Sequence, residues 1–78
     1  MSNIILPELG EGITKATVAF WHSKLGDHIQ EGDDVVELET DKATFNVPAP
    51  ASGVIKKILF KEGQEVRIGE ALAVVEPQ

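Results

Sequence analysis

Short segments in which apolar and polar residues alternate run along the whole chain, and Gly, Pro or Asp separates each segment from the next. Alternation with a period of two residues is typical of strands that bury one face, and the abundant Val, Ile and Thr residues also favour strands. A short helix is the alternative near Asp34, because residues 34–37 resemble a capping box and Val35, Leu38 and Lys42 could share a helical face. The pattern predicts strands at residues 3–6, 16–22, 35–39, 44–47, 54–60 and 72–76.

The predicted core consists of apolar residues at inward positions of these segments. Alternation is imperfect within residues 55–60, so the pattern leaves open which side chains point inward there. The predicted core residues are Val18, Trp21, Ile29, Val35, Leu38, Val47, Val54, Ile58, Val66, Leu72 and Val75.

The second half of the chain repeats the first at a distance of 37 residues, so that residues 24–39 align with residues 61–76. Two copies are too few for a solenoid. The repeat therefore predicts one domain, residues 1–78, in which half-repeats of roughly 2–39 and 40–76 close face to face as a small sandwich or flattened barrel. Four aligned pairs are identical: Lys24 with Lys61, Gly26 with Gly63, Gly32 with Gly69, and Glu39 with Glu76.

The repeat also predicts where the junction between the halves lies. If a two-fold axis relates the halves, the junction at residues 39–43 lies at one end of the domain and both termini lie at the other. Lys42, within that junction, would then project from an isolated tip.

Composition narrows the possible functions. The chain has no cysteine, which excludes disulfides, thiolate nucleophiles and cysteine metal sites. Seven Lys and Arg against thirteen Asp and Glu give a net charge of −6, the wrong sign for a general nucleic-acid surface. No apolar run approaches the roughly 18 residues of a membrane span, and the N-terminus lacks the features of a secretory signal. The sequence therefore predicts neither nucleic acid nor a membrane as a partner.

Few residues are suited to catalysis or to metal binding. No close grouping of Ser, His and Asp is evident, so the isolated domain is not expected to be an enzyme and no catalytic residue is predicted. His22 and His28 lie six residues apart with Gly26 between them, which matches no helical metal motif. Both histidines are interpreted as surface residues, and no metal site is predicted.

Two other segments have ordinary explanations. The segment Gly10-Glu11-Gly12 lacks dinucleotide and Walker spacing, and its central acid would repel phosphate, so it is interpreted as a loop. Residues 47–53 contain two prolines and could mimic a proline-rich ligand, but prolines beside a strand more often end it and fix the next turn. The turn is favoured.

Lys42 remains the candidate for chemistry. A lysine in a turn is ordinarily a solvated charge. Here, however, it lies in the hexad Glu39-Thr40-Asp41-Lys42-Ala43-Thr44 between two predicted strands. This hexad, the opening at residues 6–13 and the stretches 16–22 and 47–54 together resemble the lipoyl domain of 2-oxo acid dehydrogenase complexes, in the biotinyl/lipoyl-attachment family. The resemblance covers almost the whole chain.

The resemblance implies an all-β fold, a flattened barrel or barrel-sandwich hybrid of two four-stranded antiparallel sheets with internal pseudo-two-fold symmetry. It implies that lipoate is joined to Lys42 through an amide by a lipoate ligase or lipoyl transferase. A thiamine-diphosphate-dependent 2-oxo acid decarboxylase would reductively acylate the lipoyl group, and the acyltransferase core of the parent chain would pass the acyl group to coenzyme A. Dihydrolipoamide dehydrogenase would then reoxidise the dithiol.

The resemblance also implies roles for the neighbours of Lys42. The modifying enzyme would read Asp41 and Ala43, while Glu39 and Thr40 would shape the turn. In this family, the decarboxylase recognises its own carrier at a loop next to the lipoyl turn. For the corresponding loop of this chain, an ordinary connection without a recognition role is an equal alternative. The corresponding residues are Glu8, Leu9, Gly10, Glu11, Gly12 and Ile13.

Three alternatives share some of these features. A biotinyl carrier has the same fold and lysine but usually carries methionine on both sides, where this chain has Asp41 and Ala43. The carrier of the glycine cleavage system is longer, with extra helical segments. An unmodified β adaptor is the third alternative.

The remaining expectations concern the substrate and the parent chain. Some motifs of the chain resemble those of pyruvate or branched-chain carriers, and others resemble those of 2-oxoglutarate carriers. Acetyl transfer is slightly favoured over succinyl or branched-chain transfer. Because the chain starts at Met1 without a transit peptide, it is expected to be the N-terminal part of a bacterial dihydrolipoyl acyltransferase. The isolated domain is expected to be monomeric and cytoplasmic, or located in the mitochondrial matrix if it comes from a processed eukaryotic chain.

Overall fold

A computed structural model describes residues 2–77, and these residues form two four-stranded antiparallel sheets. Sheet A has the strand order β1-β8-β6-β3, and sheet B has the order β5-β4-β2-β7. The predicted all-β fold, with two four-stranded sheets, is confirmed. No helix long and apolar enough to cross a bilayer occurs among residues 2–77. The strands are β1 (Ser2–Ile5), β2 (Lys15–Trp21), β3 (His28–Ile29), β4 (Asp34–Glu39), β5 (Thr44–Pro48), β6 (Gly53–Ile58), β7 (Glu65–Arg67) and β8 (Ala71–Pro77).

The two halves of the chain have the same topology. Replacing β1, β2, β3 and β4 by β5, β6, β7 and β8, and the reverse, converts the order of sheet A into that of sheet B. The irregularities coincide as well, because a bulge between Val18 and Phe20 in β2 matches one between Ile55 and Lys57 in β6, 37 residues later. Each sheet therefore contains strands from both halves, and the core lies between the sheets.

Matched turns precede and follow the short strands β3 and β7. Gly26 and Gly63 have φ angles of +89° and +91°, and Gly32 and Gly69 both have +92°. These left-handed angles favour glycine, which has no Cβ to clash with the backbone. The repeated glycines are therefore explained by the turns that they form.

The structure corrects the strand prediction in two respects. β3 and β7 were not predicted, because strands of two and three residues are too short for alternation to show. The alternative helix at residues 34–37 is wrong, since β4 covers these residues and pairs with β2 on one side and β5 on the other. Pairing on both sides satisfies backbone groups that a single helical turn would leave without partners.

Eight of the eleven predicted core residues are buried, and seven buried apolar residues of the described chain were not predicted. Trp21, Val54 and Ile58 are only partly buried, while Ile55, beside Val54, is completely buried. The β6 bulge changes which side chains point inward, and this explains the broken alternation there. Trp21 lies at the core margin, where its indole Nε1 donates a hydrogen bond to the Phe60 carbonyl at 2.9 Å. The buried apolar residues are Ile4, Leu6, Ala16, Val18, Ile29, Val35, Val36, Leu38, Val47, Ala49, Ile55, Val66, Leu72, Ala73 and Val75.

The hairpin that joins β4 to β5 lies at one end of the domain. Thr17 pairs with Glu39 at the end of β4 and also with Glu65 at the start of β7, so these strands meet at this end. β8 begins soon after β7 and runs away from this end, and its later residues, Val75 and Pro77, pair with Ser2 and Gly53. Residues 2 and 77 therefore lie away from the hairpin.

Candidate functional site

The β4–β5 hairpin closes in a tight turn that carries Lys42. Glu39 pairs with Thr44, and the Thr40 backbone N–H donates to the Ala43 carbonyl at 2.9 Å. Two residues, Asp41 and Lys42, thus occupy the tip between hydrogen-bonded neighbours. The short connection fixes the register of the two strands and places the lysine at the extreme end of sheet B.

The Thr40 side chain fixes the shape of this turn. Its Oγ1 donates a hydrogen bond to the Ala43 carbonyl at 2.9 Å and accepts bonds from the backbone N–H groups of Lys42 at 3.2 Å and Ala43 at 3.1 Å. Such local bonds are typical of Ser and Thr in turns. The hydroxyl group satisfies backbone donors that the narrow turn leaves outside the sheet.

Lys42 is exposed and makes no ion pair within residues 2–77, where the two pairs present are Lys15 with Glu65 at 3.3 Å and Lys56 with Glu76 at 3.2 Å. Asp41 and Ala43 are exposed as well. The three side chains at the tip are therefore accessible to another protein.

A long loop lies next to the lysine. Nine residues (7–15) separate Leu6 from Ala16, whereas three residues (50–52) separate their counterparts Ala49 and Gly53 in the second half. The correspondence follows from the hydrogen bonds, because Gly69 N–H donates to Leu6 O at 2.9 Å as Gly32 N–H donates to Ala49 O at 3.0 Å. The first half thus contains six additional residues in this loop.

Gly12 brings this loop against Lys42. A Cβ atom placed on Gly12 would lie 3.7 Å from Lys42 Nζ, and the Gly12 φ angle is +83°. The loop is held by hydrogen bonds from Ile13 N–H to Gly10 O at 3.2 Å and from Ile68 N–H to Thr14 O at 3.1 Å. The structure therefore brings the predicted loop and the predicted turn together.

Between the loop and the hairpin lies a shallow groove of about 240 Å³. Ile13 provides apolar surface, while Glu39, Asp41 and Glu65 supply carboxylates. The groove residues in β2 and β7 were missed in the sequence, because exposed polar residues on an ordinary strand give no pattern that distinguishes them. The groove is lined by Gly12, Ile13, Thr14, Lys15, Ala16, Thr17, Glu39, Thr40, Asp41, Lys42 and Glu65.

The remaining candidate residues lie elsewhere or have no special partner. Glu8 and Glu11 are exposed in the loop, and Leu9 packs partly buried against the core. His22 and His28 are exposed, as predicted, and His22 Nε2 lies 2.8 Å from Asn46 Oδ1. Among the described residues, no group of three or more His, Cys, Asp or Glu side chains is placed to hold a metal ion.

Comparison with known proteins identifies the chain's relatives. The family described as "Biotin-requiring enzyme" matches residues 2–75. The chain is 43% identical, over 75 residues, to the dihydrolipoyllysine-residue succinyltransferase component of the 2-oxoglutarate dehydrogenase complex of Staphylococcus saprophyticus. It is 44% identical, over 72 residues, to the same component from Rickettsia typhi. These alignments cover 96% and 92% of the chain but only 18% of each relative, so the chain spans less than a fifth of their length.

Two solved structures share this fold, and one of them is a lipoyl domain. The solution structure of the lipoyl domain of the 2-oxoglutarate dehydrogenase complex from Azotobacter vinelandii matches with a TM-score of 0.78 and 38% identity, covering 100% of both chains. A single-chain, multi-domain long-chain acyl-CoA carboxylase matches with a TM-score of 0.76 and 26% identity, covering 91% of this chain and 8% of the carboxylase. With its two symmetric sheets and exposed hairpin lysine, the chain belongs to the biotin- and lipoyl-attachment family and is a lipoyl domain of the kind found in dihydrolipoyl acyltransferases.

Proposed function

We propose that this chain is a carrier domain whose Lys42 Nζ is joined to lipoate through an amide bond. The observation that carries the proposal is the position of Lys42, exposed at the tip of a hydrogen-bonded hairpin turn in a lipoyl domain. A modifying enzyme has to surround the amine, and a narrow hairpin tip fits into a cleft more readily than a flat sheet face does.

The residues around Lys42 fit this group. The amine is not held in an ion pair within residues 2–77, and the neighbouring Ala43 side chain is small. The Thr40 hydroxyl group accepts hydrogen bonds from the backbone N–H groups of Lys42 and Ala43 and thereby orders the backbone of these two residues. The modifying enzyme would therefore meet a preformed turn, with Asp41 and Ala43 available for recognition.

When bound, a lipoyl group supplies a dithiolane that can accept an acyl group with two electrons. The role of this chain is to position Lys42, to which the group is attached. The hairpin holds Lys42 at the end of sheet B, and the long, flexible lysine side chain lets the attached group extend from it. Tethering raises the local concentration at nearby active sites to about the millimolar range without tight binding.

We further propose succinyl as the acyl group. The sequence motifs slightly favoured acetyl transfer, but the relatives with 43% and 44% identity are succinyltransferase components, and the matching lipoyl domain comes from a 2-oxoglutarate dehydrogenase complex. The proposed partners are a lipoate ligase or lipoyl transferase, a thiamine-diphosphate-dependent 2-oxoglutarate decarboxylase, the acyltransferase core of a parent chain and dihydrolipoamide dehydrogenase. The loop that contains Glu8, Glu11 and Gly12 is the proposed recognition surface for the decarboxylase, since it lies next to Lys42.

Reductive acylation of the lipoylated domain tests this proposal. The domain is lipoylated with a purified ligase and then incubated with a 2-oxoglutarate or a pyruvate decarboxylase and the corresponding substrate. We expect kcat/KM for reductive acylation of the lipoylated domain to be at least tenfold higher with the 2-oxoglutarate decarboxylase than with the pyruvate decarboxylase. The ratio of these two values measures the specificity. The unmodifiable Lys42→Arg variant is the control. A preference for pyruvate would contradict the succinyl assignment without contradicting lipoylation.

Biotin is the second candidate, because the carboxylase structure matches the fold with a TM-score of 0.76. The residues beside the lysine, Asp41 and Ala43, differ from the methionines usual in biotinyl carriers. A biotin ligase supplied with biotin and ATP is therefore expected to leave the domain unmodified, and intact-mass measurement checks this result.

A further inference from the structure

We infer that the groove between the loop and the hairpin is a resting site for the uncharged dithiolane end of the group attached to Lys42. This inference rests on the proposed lipoylation of Lys42. It assigns to the domain a weak, reversible binding site for its own cargo, so that the arm would alternate between the groove and solvent.

The position of the amine supports this assignment. Lys42 itself lines the groove, and its Nζ lies 3.7 Å from the place where a Cβ of Gly12 would be. A group joined to this nitrogen thus starts at the margin of the groove. The left-handed Gly12, which has no side chain, keeps that margin open.

The dimensions and lining of the groove fit an octanoyl-length chain that ends in a small ring. Thr17 pairs with Glu39 on one side and Glu65 on the other, so the groove crosses three adjacent strands. Adjacent strands lie about 4.8 Å apart, which gives a width of about 10 Å between the two outer strands. Ile13 offers apolar contacts to methylene groups and sulfur, and the exposed residues Thr14 and Thr17, which also line the groove, carry methyl groups.

The charges of the groove favour a neutral group over an anionic one. Glu39, Asp41 and Glu65 line it, whereas Lys15 is engaged with Glu65 at 3.3 Å. Acylation of Lys42 also removes the positive charge of a second lysine that lines the groove. The groove would therefore accept an uncharged dithiolane and repel an anionic ligand.

Weak affinity is sufficient for such a site. A tether gives an effective concentration of about the millimolar range, so a dissociation constant of about the same size leaves the groove roughly half occupied. Partial occupancy keeps the arm available to other proteins while shielding it part of the time.

The test compares the lipoylated and the unmodified domain by nuclear magnetic resonance. We expect amide shift changes at Ile13, Ala16 and Thr17, and nuclear Overhauser contacts between dithiolane protons and the Ile13 and Thr17 methyl groups. In the Thr17→Arg variant, the guanidinium group faces Glu39 and Glu65 and fills the groove, so these contacts should be lost. Arginine is used because it cannot be lipoylated in place of Lys42.

Phe20→Arg is the matched control, because Phe20 is exposed on the same strand as Thr17 but does not line the groove. This variant should keep the contacts and become lipoylated to the same extent. Shift changes confined to residues 41–43 in a fully lipoylated domain would overturn the inference and leave the carrier function intact. Failure of a ligase to modify Lys42 would overturn both.

Discussion

The Thr40 hydroxyl group makes the turn around Lys42 a defined structure. Its three hydrogen bonds connect the start of the turn with the backbone of Lys42 and Ala43. The net contribution of one such bond to stability is about 1 kcal/mol, and exposure to water reduces the energetic effect of these bonds. Their main consequence is therefore the orientation of the lysine rather than the stability of the domain.

Replacing Thr40 tests this role at the level of one residue. We expect Thr40→Val to reduce the kcat/KM of lipoylation about tenfold, because loss of about 1.4 kcal/mol of preorganisation corresponds to that factor. Amide hydrogen exchange at Lys42 and Ala43 should accelerate in the same variant. Thr40→Ser keeps the hydroxyl group and should restore both values. Equal lipoylation rates for the valine and serine variants would show that the turn needs no such bond.

At the level of the elements, β6 is constrained by a close approach to β8. A methyl group on Gly53 would overlap the Glu76 carbonyl oxygen and lie 2.8 Å from Val75 Cγ1. The symmetry-related position in β2 is Ala16, which is buried without such a conflict. The two halves are therefore similar in topology but not interchangeable in packing.

Gly53→Ala is expected to destabilise the domain by about 1–3 kcal/mol, because β6 and β8 would have to separate to admit the methyl group. Urea unfolding monitored by Trp21 fluorescence measures the change. Lys57→Ala, at an exposed position of the same strand, is the control and should change stability by less than about 0.5 kcal/mol. A Gly53→Ala variant with an unchanged free energy of unfolding would contradict the close packing of these strands.

The turn glycines allow a second test at this scale. A Cβ on Gly26 or Gly63 would meet no atom within 4 Å. A substitution by alanine therefore lowers stability only through the strain of a left-handed backbone conformation. We expect Gly26→Ala and Gly63→Ala to cost the same, about 1–2 kcal/mol each, in urea unfolding. A twofold or greater difference between the two costs would show that the turns are not energetically equivalent.

Much of this local structure could be predicted from sequence because it depends on nearby residues. The repeated glycines and the strand alternation indicated the two β units, and the hexad around Lys42 indicated the hairpin. The orientation of Ile55 could not be predicted, because it depends on a bulge formed against β8. The proximity of Gly12 to Lys42 depends on contacts between distant segments, and only the family resemblance suggested it.

At the scale of the whole molecule, the symmetry separates the site from the chain ends. Residues 2 and 77 lie in sheet A away from the hairpin, and the domain extends 36 × 21 × 17 Å. The six additional residues of the loop break the symmetry at the end that carries Lys42. The described chain ends therefore lie at one end of the domain, and the exposed Lys42 lies at the opposite end.

A fusion experiment tests this separation. Attaching a globular protein to the C-terminus should change the kcat/KM of lipoylation by less than about twofold, because the added mass lies away from the hairpin. The unfused domain is the reference. A tenfold decrease would show that the C-terminal end obstructs access to Lys42.

The most direct measurement of the central claim is the mass of the domain after incubation with lipoate, ATP and a lipoate ligase, followed by mapping of the modified peptide. We predict the addition of one lipoyl group, located on Lys42. The Lys42→Arg variant should gain no mass and should unfold within about 0.5 kcal/mol of the original domain, because an exposed turn charge contributes little to stability. An unmodified domain, or a lipoyl group on another lysine, would contradict the account.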